Sequence, residues 1–191
     1  MTIFGKTGGV AACAVALALL AGTACAGAAE VMVGGKEMYP TKTIVQNAVN
    51  SADHTTLVAA VKAAGLVDTL QGPGPFTVFA PTNAAFKALP AGTVETLLKP
   101  ANKAKLTQVL TYHVVAGRLD GAALQRMVES GGGKAELKTV EGGTLTVMMN
   151  GPMNLVVRDE AGGTADISTY DVYQSNGVIH VVDHVLMPKQ G

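Results

Sequence analysis

Apolar residues in the first half of the chain recur at the three- and four-residue spacing of an amphipathic helix. The spacing predicts a helix that starts at Thr43, with an apolar face made of Ile44, Val45, Ala48 and Val49. A second helix is predicted to follow Asp53, which offers an N-terminal cap, and to stop at Gly65. The apolar face of that helix comprises Leu57, Ala60, Val61 and Ala64.

Shorter helices are predicted further along, at Thr93–Leu98, Lys103–Tyr112 and Ala122–Val128. Pro100 separates the first two, because proline cannot donate a hydrogen bond inside a continuing helix. Residues 30–42 contain breakers, Gly34-Gly35 and Pro40, and are predicted to form an arm without a regular element.

The second half of the chain changes to the alternating pattern of β-strands. The stretch "TLTVMMN" places Leu145, Val147 and Met149 on one face and the intervening residues on the other. Further strands are predicted at residues 155–158, in "TADISTYDV" and in "GVIHVVDHVLMP", after an early strand at residues 76–79. Helices followed by strands predict an α+β domain rather than alternating βαβ units.

The first 28 residues are predicted to be a secretory signal peptide. Lys6 precedes an apolar run at residues 10–21 and then a series of small residues, which is the order found in such signals. The run is shorter than the ~20 residues that span a bilayer. A lipoprotein anchored through Cys25 is the alternative, although the preceding Gly22-Thr23-Ala24 lacks the usual leucine-like residue. The expected boundaries are therefore 1–28 for the signal, 29–40 for the arm and 41–189 for the domain.

Composition narrows the classes of function. Fourteen basic and fourteen acidic residues leave no basic excess, which argues against a nucleic-acid partner. The only cysteines, Cys13 and Cys25, lie in or beside the signal, so neither a disulfide nor a cysteine nucleophile is expected in the mature domain.

The stretch "TVFAPTNAAFKAL" at residues 77–89 contains a strand-to-helix turn, which in some enzymes carries the nucleophile. Pro81 ends the strand, Thr82 is placed to cap the next helix, and Asn83 can add a local bond to the backbone. No Gly-x-Ser-x-Gly elbow occurs, and "SGGGKAEL" lacks the first glycine and the Ser/Thr of a phosphate-binding loop. We therefore expect no catalytic residues.

Histidine and methionine residues give only weak indications of a metal site. His180 and His184 would lie on one strand face but roughly 13 Å apart, too far to share an ion. Met148, Met149 and Met153 are close in sequence, yet alternation sends the first two to opposite faces. We expect no metal and no cofactor.

Three segments together resemble the fasciclin (FAS1) domain family, in its bacterial single-domain secreted form. They are "TVFAPTNAAFKAL", "LTYHVVAGR" at residues 110–118 and "SNGVIHVVDHVLMP" at residues 175–188. The resemblance implies the FAS1 fold, a wedge-shaped, β-sandwich-like core with several short helices along one side. It also implies structural roles for the matching signature residues Pro81, Thr82, Asn83, Phe86, Asn176, Gly177, His180 and Asp183.

The resemblance further implies binding through the Tyr-His segment, whose matching residues here are Leu110, Tyr112, His113, Val114 and Val115. For Tyr112 and His113 we favour the alternative role of packing and hydrogen-bonding the first signature corner against the last strand, because buried polar groups need partners. No Asn-Lys-Asp-Ile-like stretch is present, His184 replaces a common lysine, and Ala84 replaces a common acidic residue. These departures leave the fold expectation intact but weaken any transfer of a partner.

The leading hypothesis is an exported, non-catalytic adhesion or binding module, located in the periplasm, at the cell surface or outside the cell. Its expected partner is an unknown surface protein or polysaccharide, with peripheral membrane association as a further expectation and a monomer as the expected state. The alternatives are a periplasmic ligand- or metal-binding protein that uses Met and His side chains, and a structural envelope protein.

Overall fold

The computed structural model describes residues 31–151 and 154–189. Its helices are Ile44–Asn50 (α1), Thr55–Ala64 (α2), Val67–Gln71 (α3), Asn83–Lys87 (α4), Thr93–Leu98 (α5), Lys103–Tyr112 (α6) and Gly121–Ser130 (α7). Its strands are Val31–Val33 (β1), Lys36–Met38 (β2), Phe76–Pro81 (β3), Val114–Ala116 (β4), Lys134–Lys138 (β5), Thr144–Asn150 (β6), Asn154–Arg158 (β7), Thr164–Gln174 (β8) and Gly177–Val182 (β9). The predicted α+β class is confirmed.

Seven strands form one mixed sheet in the order β4-β3-β9-β8-β7-β6-β5. Strands β3 and β9 pair in parallel, from Phe76 opposite Gly177 onward, and every other pairing is antiparallel. The two ends of the sheet nearly meet, because Val115 bridges to Thr139 and the Val140 N–H donates to the Val114 carbonyl at 2.8 Å. The sheet is therefore almost a barrel.

Two apolar cores follow from this curvature. One lies between helices α1 to α6 and the outer face of β3 and β9, and includes Ile44, Val61 and Leu106. The other lies inside the curved sheet and is closed by α7, whose Leu124 and Val128 have no exposed surface. These cores hold α1 to α6 along the outer side of the sheet, as the resemblance predicts, and place α7 against the inner core instead.

Local chemistry explains where the helices begin and end. Thr43 forms a capping box with Gln46 at the start of α1, and Gly65 ends α2 with a left-handed φ of 74°. The predicted bounds of α5 and α6 are confirmed. The predicted cap at Asp53 is wrong, because α2 begins at Thr55 after a short 3-10 turn that contains Asp53.

The segment predicted to be an irregular arm instead contains the hairpin β1–β2. Gly34 and Gly35 form its turn with φ of 59° and 71°, values that glycine adopts at little cost. Val33 and Met38 reach into the helix-side core, where they are 7% and 3% exposed. The hairpin is thus part of the packed structure.

Candidate contact site

The Tyr112 hydroxyl ties helix α6 to two turns of the sheet. It donates to the Thr144 carbonyl at 2.8 Å and accepts from the Glu160 N–H at 3.0 Å. At Gly143 a Cβ atom would come within 2.7 Å of the Tyr112 ring, so the closely packed turn requires glycine. Burial raises the pKa of Tyr112 to about 12, and the hydroxyl therefore keeps its proton at physiological pH.

His113 holds the segment that follows β9. The Leu186 N–H lies 3.0 Å from Nε2, so Nε2 is the acceptor, and Nδ1 donates to the Val109 carbonyl at 2.8 Å. Burial lowers the pKa of His113 to about 4, which leaves the ring neutral near pH 7. Both ring nitrogens are occupied, so neither can bind a metal or take a proton from a substrate.

The five residues of the predicted binding segment all lie in the interior. Leu110, Tyr112, His113, Val114 and Val115 are at most 5% exposed. A partner reaches only exposed atoms, so in this conformation their side chains form no contact surface. Their contacts correspond instead to the packing alternative: the His113 carbonyl accepts from the Phe79 N–H of β3, and the His113 ring binds the segment after β9. Tyr112 differs from that alternative, since its hydroxyl reaches other turns.

The first signature corner has a structural function at each position. The Thr82 hydroxyl accepts from the Ala85 N–H at 3.2 Å and caps α4, as the sequence predicts. Asn83 does not make a local bond; its Oδ1 accepts from the Thr56 N–H and its Nδ2 donates to the Ala52 carbonyl. Pro81 is buried at the end of β3, and Phe86 lies in the helix-side core.

The last signature segment joins the sheet to the helices through Asn176. Its Oδ1 accepts from the Ile44 N–H at 3.0 Å, and its Nδ2 donates to the carbonyls of Leu70 and Gly72. At Gly177 a Cβ atom would lie 2.1 Å from the Phe76 carbonyl oxygen, so no larger residue fits beside β3. These bonds connect positions more than 100 residues apart.

His180 and His184 do not share a strand face, contrary to the prediction. Strand β9 ends at Val182, so His184 lies beyond it with a 58% exposed side chain paired to Asp183. Asp183 also accepts from the Asp166 N–H at 2.8 Å. His180 is fully buried and stacks on Phe79, and burial lowers its pKa.

The exposed end of the Tyr-His segment provides a different candidate. After β4 the chain reaches the surface, and the exposed Arg118 places its guanidinium 4.9 Å from the ring centre of Tyr173 in β8. Asp171 and Asp120 lie nearby. The pKa of Tyr173 is raised, first by the partial burial of its own hydroxyl and then by the negative charges of these two carboxylates. We call these four residues, Arg118, Asp120, Asp171 and Tyr173, the Arg118 patch.

Backbone geometry fixes the acidic side of the Arg118 patch. Asp171 has a φ of 56°, unusual for a residue other than glycine, at an irregularity in the pairing of β8 with β9. Its Oδ1 accepts from the Gly121 N–H at the start of α7, at 2.6 Å. The Asp120 carboxylate caps the same helix through the Ala123 N–H. Both carboxylates are therefore held in place by α7.

Arg118 keeps its hydrogen-bond donors available. Across the described ranges, 31–151 and 154–189, the one ion pair is His184 with Asp183, so no described carboxylate oxygen lies within 4.0 Å of this guanidinium. Stacking on Tyr173 orients the charged group without using its N–H donors. A surface arginine beside tyrosine is a combination common among the residues that dominate protein interfaces.

Arg118 is the last residue of the segment at residues 110–118 but is not among the predicted binding residues. Its position two residues beyond Ala116, the exposed last residue of β4, could have indicated that the chain emerges there. No sequence pattern predicts the contact of Arg118 with Tyr173. Tyr173 lies 55 positions further along the chain, in β8, whose pairing with β9 is irregular.

Among the described residues, no group of three or more His, Cys, Asp and Glu side chains lies close enough together to hold a metal ion. The predicted methionine cluster is only partly testable, because Met153 lies outside the described residues. Within the same part of the chain, no helix is long and apolar enough to cross a membrane.

Comparison with known proteins identifies one family model and several similar proteins. The family model for the fasciclin domain matches residues 52–188. The Synechocystis protein sll1483 is 49% identical over 146 residues, which cover 76% of this chain and 73% of that protein. The cell surface glycolipoprotein MPB83 of Mycobacterium bovis is 38% identical over 128 residues, which cover 64% of this chain and 48% of that protein.

A solved structure shares the fold. The FAS1 domain pair from the insect cell adhesion molecule fasciclin I superposes with a TM-score of 0.68 over 76% of this chain, at 17% identity. The matched region spans 51% of the insect chain, about half its length.

Proposed function

This chain belongs to the fasciclin domain family, and from that premise we propose that it is an exported, non-catalytic binding module that acts in adhesion. It works as a monomer, in the periplasm, at the cell surface or outside the cell, and binds a surface protein or polysaccharide. The signal pattern of residues 1–28 supports export, although these residues lie outside the described part of the chain.

The observation that carries the proposal is the Arg118 patch. It presents an oriented guanidinium without an ion-pair partner at the surface, three residues after the buried Val115 of the predicted binding segment. The names of two similar proteins point in the same direction, one a cell surface glycolipoprotein and the other a cell adhesion molecule. The chain therefore combines a packed support with a polar contact surface.

Attachment of the producing cells tests this proposal. Deleting the gene is expected to reduce attachment and biofilm formation, and the wild-type gene is expected to restore both. Arg118→Glu is expected not to restore them, because it reverses the charge at the centre of the Arg118 patch and weakens binding by about tenfold or more. Arg126→Glu, an exposed arginine on α7, is the matched control and is expected to restore attachment.

Two results would contradict the proposal at different levels. Unaltered attachment after deletion would exclude adhesion as the function. Full restoration by a secreted, folded Arg118→Glu protein would place the contact surface elsewhere on the domain. Amino-terminal sequencing of the exported protein tests the signal peptide, and an intact Met1 in that fraction would contradict cleavage.

A further inference from the structure

The chain contains the pair Asn-Gly twice, in two very different settings. Asn150-Gly151 lies at the end of β6, where both residues are exposed. Asn176-Gly177 lies between β8 and β9, where Asn176 is half-buried and Gly177 is buried. Asn-Gly is the sequence in which a backbone nitrogen most readily attacks the preceding side chain, because glycine has no Cβ to obstruct the approach.

We propose that Asn150 is a site of spontaneous deamidation and that Asn176 is protected from the same reaction by the fold. The Gly151 nitrogen loses its proton to solvent and bonds to Cγ of Asn150. The bond from Cγ to the side-chain nitrogen breaks, and ammonia leaves. Water then opens the five-membered imide at either carbonyl, giving aspartate or isoaspartate without any oxidant or reductant.

The surroundings of Asn150 permit this attack. Among the described residues its carboxamide has no hydrogen-bond partner, so none of these residues holds the side chain away from the Gly151 nitrogen. Gly151 has a φ of 85°, and no atom lies within 4 Å of the place where a Cβ would stand. Water reaches both residues and can carry away the proton and hydrolyse the imide.

The surroundings of Asn176 oppose the attack at each step. Its carboxamide is held by the Ile44 N–H and by the carbonyls of Leu70 and Gly72, and all three bonds must break before Cγ can move. Gly177 is held closely against the Phe76 carbonyl of β3. The two sites therefore differ in hydrogen bonding, exposure and freedom to move, while their local sequence is the same.

Deamidation would change the charge of the whole molecule. The chain has equal numbers of basic and acidic residues, so each event adds one negative charge to a nearly neutral protein. An isoaspartate also lengthens the backbone at the position where Asn150 pairs with Asn154, the last pair of the β6–β7 hairpin. The population of chains would become more acidic with age.

Tryptic digestion separates the two sites, since residues 139–158 and 159–189 form different peptides. After incubation of the folded protein in mildly alkaline buffer, mass spectrometry is expected to show the gain that accompanies replacement of NH2 by OH at Asn150. The same change at Asn176 is expected to be at least about tenfold slower, because three hydrogen bonds must first break. In denaturant both sites are expected to react at similar rates.

Asn150→Gln is the variant that tests the assignment within the first peptide, because a longer side chain forms the corresponding ring far more slowly. It should abolish both the mass change and the acidic form on isoelectric focusing. Equal rates at Asn150 and Asn176 in the folded protein would overturn the proposal. So would an Asn150 that stays unmodified when folded but reacts in denaturant.

Discussion

Buried histidines make the stability of this domain sensitive to acid. His54, His113 and His180 are at most 3% exposed, and burial lowers the pKa of each. For His113 the folded-state pKa is about 4, against 6.5 for an ordinary histidine. Above pH 6.5 the ring is neutral in both folded and unfolded chains and contributes no pH dependence. Between pH 6.5 and about 4 only the unfolded chain takes up the proton, so the free energy of unfolding falls as the pH falls.

The first prediction follows from this loss of stability as the pH falls. His113 alone should lower the free energy of unfolding by about 1.4 kcal/mol per pH unit within that window. Urea unfolding followed by circular dichroism at pH 7, 6 and 5 measures the slope. His113→Gln should be less stable at pH 7 but show a flatter slope than the wild-type protein. A His113→Gln protein with an unchanged slope would contradict the assignment.

A second prediction at this scale concerns the Tyr112 hydroxyl. Tyr112→Phe keeps the ring but leaves the Thr144 carbonyl and the Glu160 N–H without their partner, which should cost about 1–3 kcal/mol. Tyr173→Phe, on the half-exposed Arg118 patch, should change stability by less than about 0.5 kcal/mol. The midpoints of urea unfolding compare the two variants. Equal midpoints would mean that the Tyr112 bonds add nothing to stability.

At the scale of elements, the spacing of apolar residues predicts helix bounds correctly where a residue such as proline marks the end of the helix. Helices α5 and α6 have the predicted bounds because Pro100 divides them. The sequence does not predict the hairpin β1–β2, because Gly34-Gly35 indicates an interruption of regular structure. Two glycines between short strands can also form the tight turn of a hairpin, as they do here. Its strands have three residues each, too few to show alternation.

Helix α1 shows why a pattern can identify an element and still misplace its face. Val49 was assigned to the apolar face but is 51% exposed, while the polar Asn47 has no exposed surface. The Asn47 carboxamide exchanges bonds with the Tyr39 backbone and contacts Gln174. These partners lie on β8 and beside the hairpin, so the local sequence does not reveal them.

The hairpin supplies the prediction that belongs to this scale. Met38 is 3% exposed in the helix-side core, and Met38→Ala should lower the free energy of unfolding by about 2–5 kcal/mol. Met32, on the paired strand, is 58% exposed, and Met32→Ala should cost less than about 0.5 kcal/mol. Thermal or urea unfolding compares the two. Similar small losses would indicate that the hairpin is dispensable for the packed core.

At the scale of the molecule, the class and family were predictable, but the contact surface was not. Three short segments identify the family because their residues have structural functions that tolerate little change, such as the Asn176 bonds and the space at Gly177. The Arg118 patch depends instead on how β4, β8 and α7 meet. That meeting is set by strand order and by an irregular pairing, which no local pattern encodes.

The parallel pairing of β3 with β9 has a consequence for synthesis of the chain. Strand β9 is made after every other strand of the sheet, yet it lies between β3 and β8. When synthesis has reached residue 176, the strand that joins β3 to β8 is still missing from the sheet. Contacts of such long sequence separation form late. The nascent chain therefore cannot complete its native sheet until β9 has been made.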